Sequence, residues 1–407
     1  MLALLAPGQG SQTPGMLAGW LDLPGAAARV RWLSELCGLD LVRLGTTADA
    51  DEIRDTAVTQ PLIVALGLVA AAELELADVT VTAGHSIGEI TAAALAGVFG
   101  PDTAVALARL RGREMAAACA LAPTGMSAVL GGDPDVVLAR LDELGLTPAN
   151  RNGAGQIVAA GPAGQLAALA AEPPAGARVK PLSVAGAFHT AAMAPAEAAL
   201  AAIADGVTTR DPERLLLSNA DGAALETGHE VIKRLVHQVT QPVRWDLCQA
   251  TMRDLGVTAV LELPPAGALT GLARREMKGP GGKGTEILAL RTPDDLPAAR
   301  DLLARLAHPG QGQHTPDWRV VVAPAAGTFH PVQLAEGSAV PAGSPLGTVT
   351  TKREEHPVSA AYHGILVEWL LEDGDLVSAG EPVARLYPEA PPARTAARRA
   401  ATPAVQA

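Results

Sequence analysis

Three observations predict an α/β protein with an added all-β domain. From residue 1 to about 306, short apolar runs alternate with alanine- and leucine-rich helical stretches, the pattern of a parallel sheet joined by crossover helices. Residues 125–190 read βαββαβ, the order of a ferredoxin-like subdomain inserted in that core. Residues 320–388 contain an internal repeat with a period of 37, which predicts a flattened β barrel of the barrel-sandwich type.

The elements follow in order. Leu2–Ala6 and Val79–Ala83 are strand candidates, and each runs into a glycine-bearing turn and then a helix. In the inserted stretch Met126–Leu130 is strand-like, and Asp133-Pro134 supplies an N-cap and a proline at the first helical position for a helix over 133–144. Strands are expected near 147–152 and 155–161, a helix over 162–170 and a last strand over 177–184. The large domain therefore comprises 1–124 and 191–306, with 125–190 inserted. Residues 307–318, AHPGQGQHTPDW, are polar and rich in Gly, Gln and Pro, and read as a linker. In the repeat, Ala323, Gly327, Gly337, Val340, Ala342, Gly343 and Pro345 recur as Ala360, Gly364, Gly374, Val377, Ala379, Gly380 and Pro382. Each half reads strand–turn–strand, which bounds a β domain at 319–389. Residues 390–407 have the composition of a disordered tail.

Composition excludes several classes. At 48% hydrophobic and 18% charged residues the chain reads as a globular protein. A formal charge of −12 argues against a nucleic-acid partner, which calls for a basic stripe. The start, MLALLAPGQGSQ, lacks a basic region and reads as a strand rather than a signal peptide. No run approaches the ~20 apolar residues of a membrane span. Cys37, Cys119 and Cys248 lie far apart without a CxxC, so they are expected as reduced thiols in a cytoplasmic protein, and no metal site is expected.

Four features carry chemistry. Gly84-His85-Ser86-Ile87-Gly88 is a G-x-S-x-G between an expected strand and an expected helix, which makes the core hydrolase-like. Such a turn exposes Ser86 at the carboxyl edge of the sheet and puts the Ile87 N–H where it can stabilise an oxyanion. Ser86…Glu89 also fits S-x-x-E, a capping box, which is the competing structural role. His189, in Gly186-Ala187-Phe188-His189, is the candidate base, whereas His85, His237 and the late histidines read as structural or solvated. Gly8-Gln9-Gly10-Ser11-Gln12 leaves the Gln9 amide little shielded, able to point into a cleft, but the same letters suit a solvated turn. Arg111, in RLRGR, is either a solvated helical arginine or a guanidinium fork for a carboxylate.

Together these segments resemble the malonyl-CoA:acyl carrier protein transacylases and the related acyltransferase domains of fatty-acid and polyketide synthases. PGQGSQ, GHSIGE, RLRGREM, ANRNGAGQIVAAG and GAFH occur in that family's order, and the resemblance covers about residues 1–306. It implies a cytoplasmic acyltransferase with malonyl-CoA and an acyl carrier protein as partners and no cofactor. It implies Ser86 as the acylated nucleophile, His189 as general base and acid, Gln9 and Ile87 at the oxyanion hole and Arg111 on the malonyl carboxylate. It also implies the main-chain carbonyl of Gln238 as the group that orients His189. Asn152 and Gln156 fall in a motif bordering the cleft. Gln241 stands where the family often has Asn, which bears on the local turn. The bulk of Phe188 is expected to crowd an α-methyl branch, and Ile87 agrees with a malonyl preference.

The repeat region resembles biotinyl and lipoyl domains, which carry their cofactor on a lysine at a hairpin. Counting back from Gly364, that position falls on Arg353, with Lys352 one place early, and the flanking Thr350-Thr351 match neither cofactor's motif. An unmodified domain that docks or oligomerises is expected. Arg274, Arg275, Lys278 and Lys283 are the candidate carrier-docking cations. Two other functions compete: an acyl-CoA or acyl-carrier hydrolase on the same scaffold, and a non-catalytic scaffold acting through the β domain.

Overall fold

The computed structural model describes residues 1–277, 284–307 and 319–387. The chain divides into two compact units, 1–309 and 310–407. The expected tail, nearly all of the expected linker, and Lys278 and Lys283 lie outside the described residues.

Ten named strands occur in the first unit: β1 (Leu2–Ala6), β2 (Val81–Gly84), β3 (Thr124–Gly131), β4 (Thr147–Gly153), β5 (Gln156–Pro162), β6 (Ala177–Pro181), β7 (Leu215–Leu217), β8 (Ala224–Leu225), β9 (Ala259–Glu262) and β10 (Glu286–Ala289). Six of them form one sheet in the order β10-β9-β1-β2-β7-β8. It is parallel from β10 to β7, and β8 closes the edge antiparallel. The residues of β1, β2 and β9 are buried throughout, because helices cover both faces of a parallel sheet. This explains their continuous apolar runs. β1 and β2 are adjacent, so the loops after Ala6 and Gly84 emerge side by side at the carboxyl edge, where α/β sheets place their sites.

The second sheet of this unit is antiparallel, in the order β4-β5-β3-β6, with helices Pro134–Glu143 and Ala163–Ala171 between its strands. Asp133 caps the earlier helix by accepting from the Asp135 and Val136 amides. The expected strand over 177–184 is shorter, ending at Pro181. Leu182 still donates its backbone amide to Met126 O at 3.0 Å; beyond it the chain leaves the ladder, and Leu182 and Val184 line the cleft on the way to His189. This subdomain is tied to the large sheet's surroundings by backbone pairing: Arg151 N donates to Val243 O at 2.9 Å and Val243 N to Ala149 O at 2.8 Å. The segment after Gln241 therefore makes its turn and pairs with β4.

The second unit holds eight named strands: β11 (Arg319–Val322), β12 (Gly327–Pro331), β13 (Ala339–Val340), β14 (Pro345–Thr350), β15 (Glu355–Ser359), β16 (Gly364–Trp369), β17 (Leu376–Val377) and β18 (Pro382–Tyr387). They form two four-stranded sheets, β11-β18-β16-β13 and β15-β14-β12-β17, which the 37-residue repeat exchanges strand for strand. Its core comes in pairs at the same offset: Phe329 with Leu366, Leu346 with Val383, Val349 with Leu386, all buried. The hydrogen bonds repeat too, Gly337 N to Leu366 O at 2.7 Å and Gly374 N to Phe329 O at 2.9 Å. β14 and β15 form a hairpin whose last pair is Thr350 with Glu355, so Lys352 and Arg353 sit at its exposed tip.

Candidate active site

The turn after β2 is forced by contact. Gly88 opens the helix Gly88–Leu95 directly behind β1, and a Cβ there would lie 2.2 Å from the Ala6 carbonyl oxygen. Only glycine permits that approach. The chain reverses so sharply that Ser86 takes φ 54°, a left-handed conformation costly for a residue with a side chain. Asn219, following β7, holds it: Ser86 N donates to Asn219 Oδ1 at 2.8 Å, and Asn219 Nδ2 donates to the Gly84 carbonyl at 2.7 Å.

The capping box does not form. Glu89 turns its carboxylate away from the Ser86 amide and accepts instead from the Asn219 amide at 3.1 Å and from Gln238 Nε2. Ser86 Oγ is thereby left for another partner, His189 Nε2, at 2.8 Å. His189 is also left-handed, at φ 60°, and is buried. Its Nδ1–H donates to the Gln238 main-chain carbonyl at 2.7 Å, which leaves Nε2 as the bare nitrogen facing the serine hydroxyl. Burial, and then the nearby Arg111 cation, push its pKa down to about 3. A neutral imidazole that accepts a proton from Ser86 is the form a general base requires.

Arg111 is not on a solvated face. It is 2% exposed, on the helix Pro101–Cys119, which packs on the helix Thr56–Ala71. Gly112 makes that packing close: a Cβ there would come within 2.6 Å of the Thr56 carbonyl oxygen. The guanidinium donates to Gln60 Oε1 and to Gln238 Oε1, each at 2.8 Å, and Nη2 stands 3.3 Å from Ser86 Oγ. Burial lowers its pKa to about 10, which keeps it cationic at neutral pH. Its buried Nε has no partner among the described residues.

Gln9 follows β1 and is half-buried. Its side-chain amide is not a free donor in the cleft: Nε2 donates to Thr56 Oγ1 at 3.1 Å and ties the glycine-rich loop to the helix Thr56–Ala71. Among the described residues neither the Gln9 nor the Ile87 backbone amide donates a hydrogen bond. Both remain available at the carboxyl edge beside Ser86.

Ser86, His189, Gln9 and Phe188 line a small inner cavity of about 80 Å³. It shares Gln9, His85, Asn150, Val158, Leu182 and Val184 with an outer cleft of about 630 Å³, which also borders Asn152, Gln156 and Arg275. A long substrate can therefore lie in the cleft with its reacting end at Ser86. His85 is half-buried, lines both spaces, and bonds Asn152 Oδ1 through Nε2 at 2.9 Å. His237 is exposed and pairs with Glu197. Arg274 and Arg275 are exposed on the helix Ala268–Glu276. Cys37, Cys119 and Cys248 are free thiols. No metal-holding cluster and no helix long and apolar enough to cross a membrane occurs among the described residues.

Sequence reasoning missed Asn219, Gln60 and the second role of Glu89. A signal for Gln60 was present, since it is the one amide in the otherwise apolar run Gln60–Ala71. Asn219 had none, because only the sheet order places the end of β7 beside the turn after β2.

Residues 4–310 match the family described as acyl transferase domain, and residues 319–386 match the family described as biotin-requiring enzyme. The malonyl CoA-acyl carrier protein transacylase of Mycobacterium tuberculosis is 57% identical over 301 residues, covering 73% of this chain and 98% of the relative. The crystal structure of MCAT from Mycobacterium tuberculosis superposes with a TM-score of 0.71 at 56% identity, covering 74% of this chain and 99% of that one. A structure of a type II PKS acyl-carrier protein in complex with its malonyl-transacylase matches with a TM-score of 0.67 at 28% identity, covering 74% and 99%. The chain is an acyltransferase, and it belongs to the acyl transferase domain family.

Proposed function

We propose that the protein transfers malonyl from malonyl-CoA to the phosphopantetheine thiol of an acyl carrier protein through a malonyl-serine intermediate. The observation that carries this reading is the pairing of Ser86 Oγ with a neutral His189 Nε2 at 2.8 Å, next to the buried Arg111 cation. His189 takes the hydroxyl proton as Ser86 attacks the thioester carbonyl. The Gln9 and Ile87 amides stabilise the oxyanion, coenzyme A thiolate leaves with the proton from His189, and the acyl group stays on Ser86. The carrier thiol then enters the cleft, gives its proton to His189 and attacks the acyl-serine carbonyl, and Ser86 is regenerated. Arg111 holds the distal carboxylate in both halves. Each oxyanion donor is worth roughly 10²–10³ in rate.

A hydrolase on this scaffold is the competing reading. Two features speak against it. The His189 Nδ1 partner is a main-chain carbonyl rather than a carboxylate, and a buried cation beside the nucleophile suits an acyl group that is itself an acid. The test is thiol release from malonyl-CoA with and without carrier. Release that depends on carrier supports transfer, and release equally fast without it supports hydrolysis.

Arg274 and Arg275 are proposed as part of the docking surface for the acidic carrier. The three free thiols fit a reducing compartment, and a cytoplasmic location is proposed. The β domain is proposed to be unmodified. Intact mass of protein from its own host tests this, and a cofactor-sized addition on Lys352 contradicts it.

A further inference from the structure

We propose that Glu89 is a positioning residue for acyl selectivity, acting on Arg111 through the side-chain amide of Gln238; this rests on the malonyl-transfer reading above. Arg111 can only donate hydrogen bonds, so it needs the oxygen end of the Gln238 amide. Rotated by half a turn, Gln238 would set its NH₂ against the guanidinium. What fixes its sense is what its nitrogen faces. Gln238 Nε2 has three acceptors around it: the Ser86 carbonyl at 3.1 Å, Asn219 Oδ1 at 3.2 Å and the Glu89 carboxylate. Once ionised, above about pH 7, the carboxylate is the only one that carries charge and makes the strongest of the three bonds.

The other Glu89 oxygen accepts from the Asn219 amide, and Asn219 is the residue that holds Ser86 in its left-handed turn. One carboxylate thus orders two arms, one ending at the nucleophile's backbone and the other at the cation. Glu89 itself bonds neither Ser86 Oγ nor His189. It faces two donors, so glutamine in its place must set a donor against a donor. Turning Gln238 over relieves that conflict and transfers it to Arg111.

The experiment uses the full chain with Glu89→Gln, Gln238→Met and the double variant. Acyl-enzyme formation is timed with malonyl-CoA and with acetyl-CoA, and folding is followed by thermal melting. Methionine at 238 removes the relay while its main-chain carbonyl still holds His189. The malonyl rate is expected to fall about 10- to 100-fold in each single variant, the loss of one charge-assisted contact. The acetyl rate changes much less. The double variant is expected to cost no more than the worse single one, because both cut the same connection. An unchanged malonyl-to-acetyl ratio in a folded Glu89→Gln protein, or fully additive costs, overturns the proposal. If Glu89→Gln does not fold, an unchanged ratio in Gln238→Met overturns it equally. A parent protein with no malonyl preference overturns the underlying reading before any variant is compared.

Discussion

Replacing Arg111 with alanine separates recognition of the acyl group from the chemistry at Ser86. In the protein the guanidinium is buried, its two shorter hydrogen bonds go to the neutral amides of Gln60 and Gln238, a third at 3.3 Å goes to Ser86 Oγ, and its Nε has no partner among the described residues. An incoming carboxylate therefore meets a cation with capacity to spare. A hydrogen bond to a charged group is worth about 1.5–3 kcal/mol, so two of them bring about 3–6 kcal/mol. Part of this is offset because Gln60 and Gln238 already occupy the fork, which places the expected loss near the low end. About 3 kcal/mol corresponds to roughly a hundredfold in malonyl acylation. Acetyl groups have no carboxylate to lose, so their rate is expected to change little. The variant also leaves the Gln60 and Gln238 oxygens without a donor, at about 1–3 kcal/mol each. Its melting temperature is expected to drop, and acylation must be measured below it. The assay is single-turnover acyl-enzyme formation from malonyl-CoA and acetyl-CoA, read by intact mass. A folded Arg111→Ala protein that keeps the parent's malonyl-to-acetyl ratio refutes the reasoning.

Gly88→Ala is expected to destabilise the chain by several kcal/mol or prevent folding, because its Cβ would sit 2.2 Å from a backbone oxygen; denaturant unfolding checks this. Phe188→Ser is expected to admit an α-methyl branch, with the methylmalonyl-to-malonyl ratio rising by about 10-fold or more, since such steric differences are worth ~1–3 kcal/mol. The pH dependence of stability has two opposed parts. His189 is lowered from 6.5 to about 3, so the unfolded chain takes up a proton that the native one refuses, and stability falls as pH drops below 6.5. Glu89 is raised from 4.5 to about 7 by burial, so the native chain holds a proton that the unfolded one releases, and stability rises as pH drops from 7 to 4.5. Glu89→Gln removes the second part. Its stability is expected to decline more steeply than the parent's between pH 6.5 and 4.5, by about 1.4 kcal/mol per pH unit, in denaturant titrations at each pH.

Much of this was legible before the fold was known, and the reasons are local. The turn at Ser86 is written in consecutive letters, as are the capped helix after Asp133 and the 37-residue repeat. The repeat even carries its hydrogen bonds, which recur at the same offset. What escaped depends on topology. Nothing in the letters SNADG shows that Asn219 holds the Ser86 amide, because β7 reaches that place only by lying beside β2. Glu89 fitted a capping pattern, yet its carboxylate bonds residues 130 and 149 positions away. The Gln9 amide was expected to point into the cleft as a donor; Gln9 lines the cleft, and its Nε2 donates to Thr56 Oγ1. The strand after Ala177 stops early because the chain leaves the ladder toward His189.

The account depends most on where the acyl group resides between donor and acceptor. Protein incubated briefly with malonyl-CoA, quenched in acid, digested and mapped by mass spectrometry answers this. A malonyl adduct is expected on Ser86 alone, chased off by carrier protein and absent from Ser86→Ala. An adduct on another residue, or undiminished transfer by Ser86→Ala, would contradict the account.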